Sequence, residues 1–221
     1  MEITWYGLSC FRLTERDVAT VVTDPYDSRE VGHRPLKLDA DIVTISHKSP
    51  DRNFVEAVRG NPYVVTGPGE YEIGSVFITG VQTSSSNESG DGRVSEHATA
   101  WNTLYSFDFG TLTVAHLGDL DHVPTQAEIE SLGTVNIALV PIGGGRLLNA
   151  ARAAEVISVL EPSIVIPMQY AMPEFTVPLE PLSKFLKEMG ISEIETQPSL
   201  KITAASLPEE TKVVVLDIKQ H

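Results

Sequence analysis

Apolar residues in the first third of the chain come in short runs broken by polar or turn residues. The runs are ITWY at Ile3 to Tyr6, CFRL from Cys10, ATVVTD from Ala19 to Asp24, DIVTIS from Asp41 to Ser46 and YVVT from Tyr63. Runs of this length between turn residues predict strands. EYEIGSVFITGV continues the pattern, and its Gly74 and Ser75 suit a tight turn between two extended segments. From Thr83 to Ala98 the chain is rich in Ser, Gly, Asn and acidic residues and has no period, which predicts a long loop. Beyond it, Asn102 to Phe109 and Leu112 to Leu117 read as strands joined at Gly110, followed by a helix around Gln126 to Leu132 and the strand VNIALVPI.

The period then changes. Asn149 precedes AARAAEVISVL, where Ala153, Val156, Ile157 and Leu160 share one helical face and Asn149 can accept first-turn N–H groups. Pro162 ends that helix. IVIP at Ile164 to Pro167 reads as a buried strand, Leu179 to Met189 as a second amphipathic helix closed by Gly190, and LKITA and KVVVLDI as two last strands around an LPEE turn. Helices are too few to cover every crossover of a purely parallel sheet, which favours an α+β arrangement of sheets packed together with helices outside. No low-complexity linker divides the sequence, so residues 1–221 read as a single domain.

Composition narrows the class. A chain of 221 residues can bury a full core without staples, and 42% apolar residues separate it from acidic disordered chains despite a net charge of −14. A nucleic-acid partner is not expected on so acidic a surface. Cys10 is the sole cysteine, the amino terminus lacks a basic region followed by an apolar stretch, and no run approaches the roughly 20 apolar residues of a membrane span. A soluble cytoplasmic protein without a membrane partner is the expectation. Only six histidines are present, which limits any His-rich metal centre.

Candidate chemistry gathers at predicted strand ends, where rigid elements deliver side chains to a site. SHKSPDR carries His47, Ser49, Asp51 and Arg52; HLGDLDH carries His116, Asp119, Asp121 and His122; IPMQY carries Gln169 and Tyr170. His nitrogen and Asp oxygen both bind Zn, Mn or Fe, and such an ion makes hydroxide from water for attack on an ester, amide or phosphodiester. The bland reading stands beside it: His47 and Asp51 capping backbone groups, Asp119 fixing a turn, His122 solvated in a loop. Gly143 to Gly145 lacks the lysine of a phosphate loop and reads as a flexible turn more readily than an anion cradle.

The succession GLSCF, VVTDPY, DIVTISH, GPGEYEI, ITGV, NTLYSF, HLGDLDH, VPIGG, a capped helix and IVIPMQY resembles the metallo-beta-lactamase superfamily, in its small, metal-dependent-hydrolase-like branch. The resemblance spans nearly the whole chain and implies a four-layer αβ/βα sandwich with its site along one edge of two sheets. It also implies a His-x-His-x-Asp-His motif at His47 to Arg52. There His47 and Asp51 are kept, while Ser49 and Arg52 stand for histidines. Serines around Ser85 occupy the place of the next histidine, Gln169 that of the last, and Leu8 that of the one before the first-loop serine. Asp119, which in the family bridges metals, survives.

Three functional classes follow. The leading expectation is a degenerate metal centre without a cofactor, catalytically silent or serving as a binding or structural module, with Arg52 pairing Asp51 or Asp119 as an electrostatic replacement for the ion. The second is a hydrolase of an ester or phosphodiester using Zn, Mn or Fe at a rearranged site of His47, Asp51 and Asp119, with His116 or His122. The third is a metal-free hydrolase with His47 as base and Arg52 stabilising an oxyanion. Ser49, Ser85, His116, His122, Gln169 and Tyr170 are the further pocket candidates. A small-molecule ligand and a homodimer complete the expectations.

Overall fold

A computed structural model of the protein describes residues 1–49, 53–84 and 101–219. The amino-terminal strands are β1 (Glu2–Gly7), β2 (Cys10–Thr14), β3 (Val21–Thr23), β4 (Leu38–Asp39), β5 (Ile42–Ile45), β6 (Val58–Arg59), β7 (Tyr63–Thr66), β8 (Gly69–Ile73) and β9 (Val76–Ser84). The remainder are β10 (Trp101–Asp108), β11 (Thr113–His116), β12 (Ile137–Pro141), β13 (Ile164–Met168), β14 (Thr196–Gln197), β15 (Leu200–Lys201), β16 (Lys212–Val213) and β17 (Val215–Leu216). One six-stranded sheet has the order β15-β1-β2-β3-β5-β7 and a seven-stranded sheet the order β16-β13-β12-β11-β10-β9-β8. In the first, β3, β5 and β7 run parallel; in the second, β11, β12, β13 and β16 do.

Alternation along the first sheet explains the layering. Ile3, Trp5, Phe11, Leu13, Val21 and Ile42 point into the space between the sheets and meet Ile78, Leu104, Tyr105 and Phe107 of the second. The intervening Tyr6, Cys10, Val22, Val43 and Ile45 point the other way, into a separate apolar cluster with Tyr26, Val31, Leu36 and Leu38. A strand buried on both faces reads as a continuous apolar run, as DIVTIS does. The outer covering of the first sheet includes the four-residue helix α1 (Ser28–Val31). The other sheet is packed by α2 (Gln126–Leu132) and α3 (Ala150–Leu160), and α4 (Leu182–Glu188) packs on α3. This is the four-layer sandwich expected from the sequence.

Several local expectations match residue for residue. Asn149 accepts the Arg152 N–H at 3.0 Å and starts α3, whose buried face is Ala153, Val156, Ile157 and Leu160. α2 carries a capping box between Thr125 and Glu128. Gly74 and Ser75, both with positive φ, join Ile73 to its cross-strand partner Val76 in a two-residue hairpin.

Others are corrected. The last helix begins at Leu182 instead of Leu179, because Pro181 is its cap and the Glu180 N–H is held by the Gly143 carbonyl. The tail strands shrink to two-residue pieces, since a 3-10 turn at Ala204–Ser206 and a break at Val214 interrupt them. α1, a single turn, left no periodic signal. Among the described residues no helix is long and apolar enough to cross a membrane.

Polar bonds also tie the two sheets. The Tyr105 hydroxyl crosses from the second sheet to donate to Ile45 O at 3.0 Å, inside the core. Tyr105→Phe removes that donor and leaves a buried carbonyl short of a partner, so a loss of about 1–2 kcal/mol is expected. A lower urea midpoint at unchanged m-value in equilibrium unfolding is the expected observation; an unchanged midpoint would show the bond to be dispensable.

Candidate metal centre and its polar network

Four strands of the two sheets end at one place, at the carboxyl ends of the parallel strands where open α/β sheets usually bind ligands. Asp24 directly follows β3, Ser46 and His47 follow β5, Asp119 lies in the turn after β11, and Gln169 directly follows β13. Two of these residues, Asp24 (φ 38°) and Gln169 (φ 55°), hold a left-handed backbone that non-glycine residues seldom adopt. Such strain persists only where the surroundings over-determine it, and it clusters at functional sites.

Each end is fixed by specific bonds. Asp24 is almost wholly buried; its Oδ1 accepts the Ser46 N–H at 2.7 Å and its Oδ2 the Ser46 hydroxyl at 2.6 Å. Ser46 Oγ lies 2.9 Å from His47 Nδ1, and Ser46 O receives the Thr103 N–H from the opposite sheet at 2.7 Å. The Asp119 N–H donates to Asn102 Oδ1 at 2.9 Å, and Asn102 Nδ2 donates to Leu117 O at 3.1 Å, which sets the loop after β11. Gln169 passes close to Gly143, where an added Cβ would stand 2.2 Å from Gln169 O. That clearance gives Gly143 a packing role in place of an anion cradle.

Two candidates converge on Asp119. Gln169 Nε2 donates to Asp119 Oδ1 at 2.6 Å, and His47 Nε2 stands 3.2 Å from Asp119 Oδ2. Both partners of the second pair reach the surface, with 10% and 27% of their side chains exposed. Although near enough for an ion pair, His47 Nε2 makes no hydrogen bond among the described residues, because the oxygen lies off the direction of an Nε2–H. Gln169 Oε1 is likewise buried without a partner among them.

The remaining candidates lie elsewhere or outside the described residues. His116 is fully buried, directs Nε2 to Ser9 O at 3.0 Å, and sits 3.8 Å from Asp24 Oδ2. His122 pairs with its neighbour Asp121 at 2.6 Å, and the Asp121 carbonyl accepts from Arg152. Tyr170 packs its ring on Trp5 with centroids 5.2 Å apart, and burial pushes its phenol well up. Ser49 is half-buried just beyond His47. Asp51, Arg52 and Ser85 lie outside the described residues. Cys10 is no nucleophile: burial first, and Asp24 second, raise its thiol well above the ordinary value.

The family model for the beta-lactamase superfamily domain matches residues 2–169, most of the chain. A solved structure from Thermotoga maritima, described as a candidate Zn-dependent hydrolase of the metallo-beta-lactamase superfamily, is 34% identical, covers 97% of each chain and superposes with a TM-score of 0.77. The chain belongs to the metallo-beta-lactamase superfamily. The UPF0173 protein of Pyrococcus furiosus is 30% identical over 182 residues, covering 77% of this chain and 83% of its own. The UPF0173 metal-dependent hydrolase of Thermoplasma acidophilum is 24% identical over 190 residues, with the same coverage.

The superfamily's metal can be tested against these side chains. Among the described residues no three His, Cys, Asp or Glu are grouped to hold an ion. Where the resemblance places a histidine ligand, Gln169 instead turns an N–H donor onto the carboxylate that would bridge metals. A donor in that position occupies the lone pair a cation needs. Among the described residues, His47 and Asp119 are the metal-ligand types brought together here, and one of them already accepts from Gln169.

Asp24, Ser46 and Asn102 escaped the sequence reading as site residues. An acid between a strand and a proline, in VVTDPY, and a serine directly before His47 were the available signals.

His116 carries a pH prediction. Burial holds its pKa below the usual 6.5, against the opposing pull of Asp24. As pH falls below about 6.5 the unfolded chain takes up the proton first, so this residue's contribution is intact above that pH and is lost as pH descends through the lower folded value. Urea midpoints are expected to drop between about pH 7 and pH 5, and to drop less in His116→Gln. An identical pH slope in that variant would clear His116 of the effect.

Proposed function

We propose that this superfamily member is a binding module with a degenerate metal centre, lacking the hydrolytic turnover of a metal-loaded site. The observation that carries the reading is the 2.6 Å bond from Gln169 Nε2 to Asp119 Oδ1. A charge-assisted hydrogen bond holds the carboxylate from inside the protein, where a superfamily hydrolase would use an ion. In the same reading Arg52, which stands in the sequence where the resemblance implies a histidine ligand, brings a permanent positive charge in place of that ligand. The ligand is a small molecule that enters over the partly exposed side chains of His47 and Asp119.

A second reading has a specific observation in its favour. His47 Nε2 and Gln169 Oε1 are both buried and without hydrogen-bond partners among the described residues, and relatives carry the name metal-dependent hydrolase. It makes the protein a hydrolase of an ester or phosphodiester, loaded with Zn, Mn or Fe at His47, Asp51 and Asp119.

Elemental analysis of the protein purified without an affinity tag separates the two. The binding-module reading expects Zn, Mn and Fe well below one per chain, before and after incubation with each ion and dialysis. A near-stoichiometric ion that disappears in Asp119→Ala would overturn it in favour of the hydrolase.

A further inference from the structure

The hydrogen bonds behind His47 allow its protons to be counted. Ser46 has one hydroxyl proton, and at 2.6 Å from Asp24 Oδ2 that proton is spent on the carboxylate, which can only accept when ionised. Asp24 Oδ1 is already engaged by the Ser46 N–H, so the carboxylate grips this one residue through both oxygens. Ser46 Oγ, 2.9 Å from His47 Nδ1, is then left with lone pairs alone and must accept, so the hydrogen between them belongs to Nδ1. Neutral imidazole carries one hydrogen, and Nε2 therefore carries none. The front of the ring agrees independently, since an Nε2–H would find no acceptor along its direction among the described residues.

We infer that Asp24 and Ser46 form a one-way proton lock that keeps neutral His47 in the Nδ1–H form, so that Nε2 beside Asp119 is a bare acceptor. Asp24 and Ser46 are positioning residues, acting on the site only through His47. The lock holds whether or not the protein turns a substrate over. Its consequence is one of chemical class: His47 Nε2, 3.2 Å from Asp119 Oδ2, offers a lone pair and no hydrogen, so it can receive a hydrogen donor or a cation but cannot itself donate. His116 is wired in the opposite sense, its Nε2–H directed to the Ser9 carbonyl, so the two histidines supply an internal contrast.

Nitrogen NMR reads the tautomer directly. Long-range hydrogen-to-nitrogen correlation spectra of the ¹⁵N-labelled full chain, recorded with EDTA at an alkaline pH where its histidines are neutral, are expected to show His47 with a protonated Nδ1 and a bare Nε2. His47→Gln identifies the signal by its loss. In Asp24→Asn the amide keeps its oxygen on the Ser46 N–H and turns its NH₂ to Ser46 Oγ, which sends the hydroxyl proton to His47 Nδ1. The tautomer should reverse to Nε2–H. Asparagine tolerates the left-handed backbone at position 24, so the fold is retained. Ser46→Ala, which removes the relay itself, should give a mixture of both forms. A proton resident on Asp24 would run the chain backwards and place hydrogen on Nε2 in the unmodified protein; that result overturns the lock, as does an unchanged tautomer in both variants. Metal content is measured separately, so failure of the lock and failure of the binding-module reading are distinguishable.

Discussion

Ser46 holds the two sheets and the candidate site in one frame. Its amide and hydroxyl are taken by Asp24 from the neighbouring strand, its carbonyl by Thr103 from the opposite sheet, and its oxygen faces His47. A fully buried residue with this much polarity would cost about 1–3 kcal/mol for each group left unpaired. Satisfying them all constrains the end of β3, the end of β5 and the middle of β10 at once. The Tyr105 and His116 bonds to Ile45 and Ser9 extend the same cross-sheet strip, so the apolar sandwich is closed at one edge by polar bonds.

This strip differs from a structural metal site in what it asks of folding. Where a metal organises a small domain, its ligands are unmade without it. Here the sheets meet through an extensive aliphatic and aromatic core, and the hydrogen bonds among Asp24, Ser46, Asn102 and Asp119 need no ion. The superfamily scaffold can therefore keep its shape while the chemistry at its edge changes, which is why the fold alone does not select an activity.

Much of the architecture was legible in the sequence because it rests on local causes. The cap at Asn149, the four apolar positions of α3, the turn at Gly74 and Ser75 and the strand-length runs are each decided by neighbouring residues. The start of α4 was not, because Glu180 is drawn away by Gly143, a residue 37 positions earlier in the chain. The site divided along the same line. His47, Asp119 and Gln169 stood out by residue type and by resemblance, whereas Asp24 and Ser46 owe their role to β3 and β5 lying side by side. Adjacency of strands leaves no mark on either segment. His116, singled out for its type, proved to face a backbone carbonyl inside the core.

The close passage of Gln169 by Gly143 bears on how such a site drifts over generations. Gly143, on a different strand end, leaves the room that the Gln169 carbonyl needs, and glutamine and histidine, each with an unbranched Cβ, present the same demand to the left-handed backbone at position 169. Glutamine and histidine codons differ by a single nucleotide. Exchange between an amide and an imidazole at this place is thus a single mutational step between side chains with the same backbone requirement.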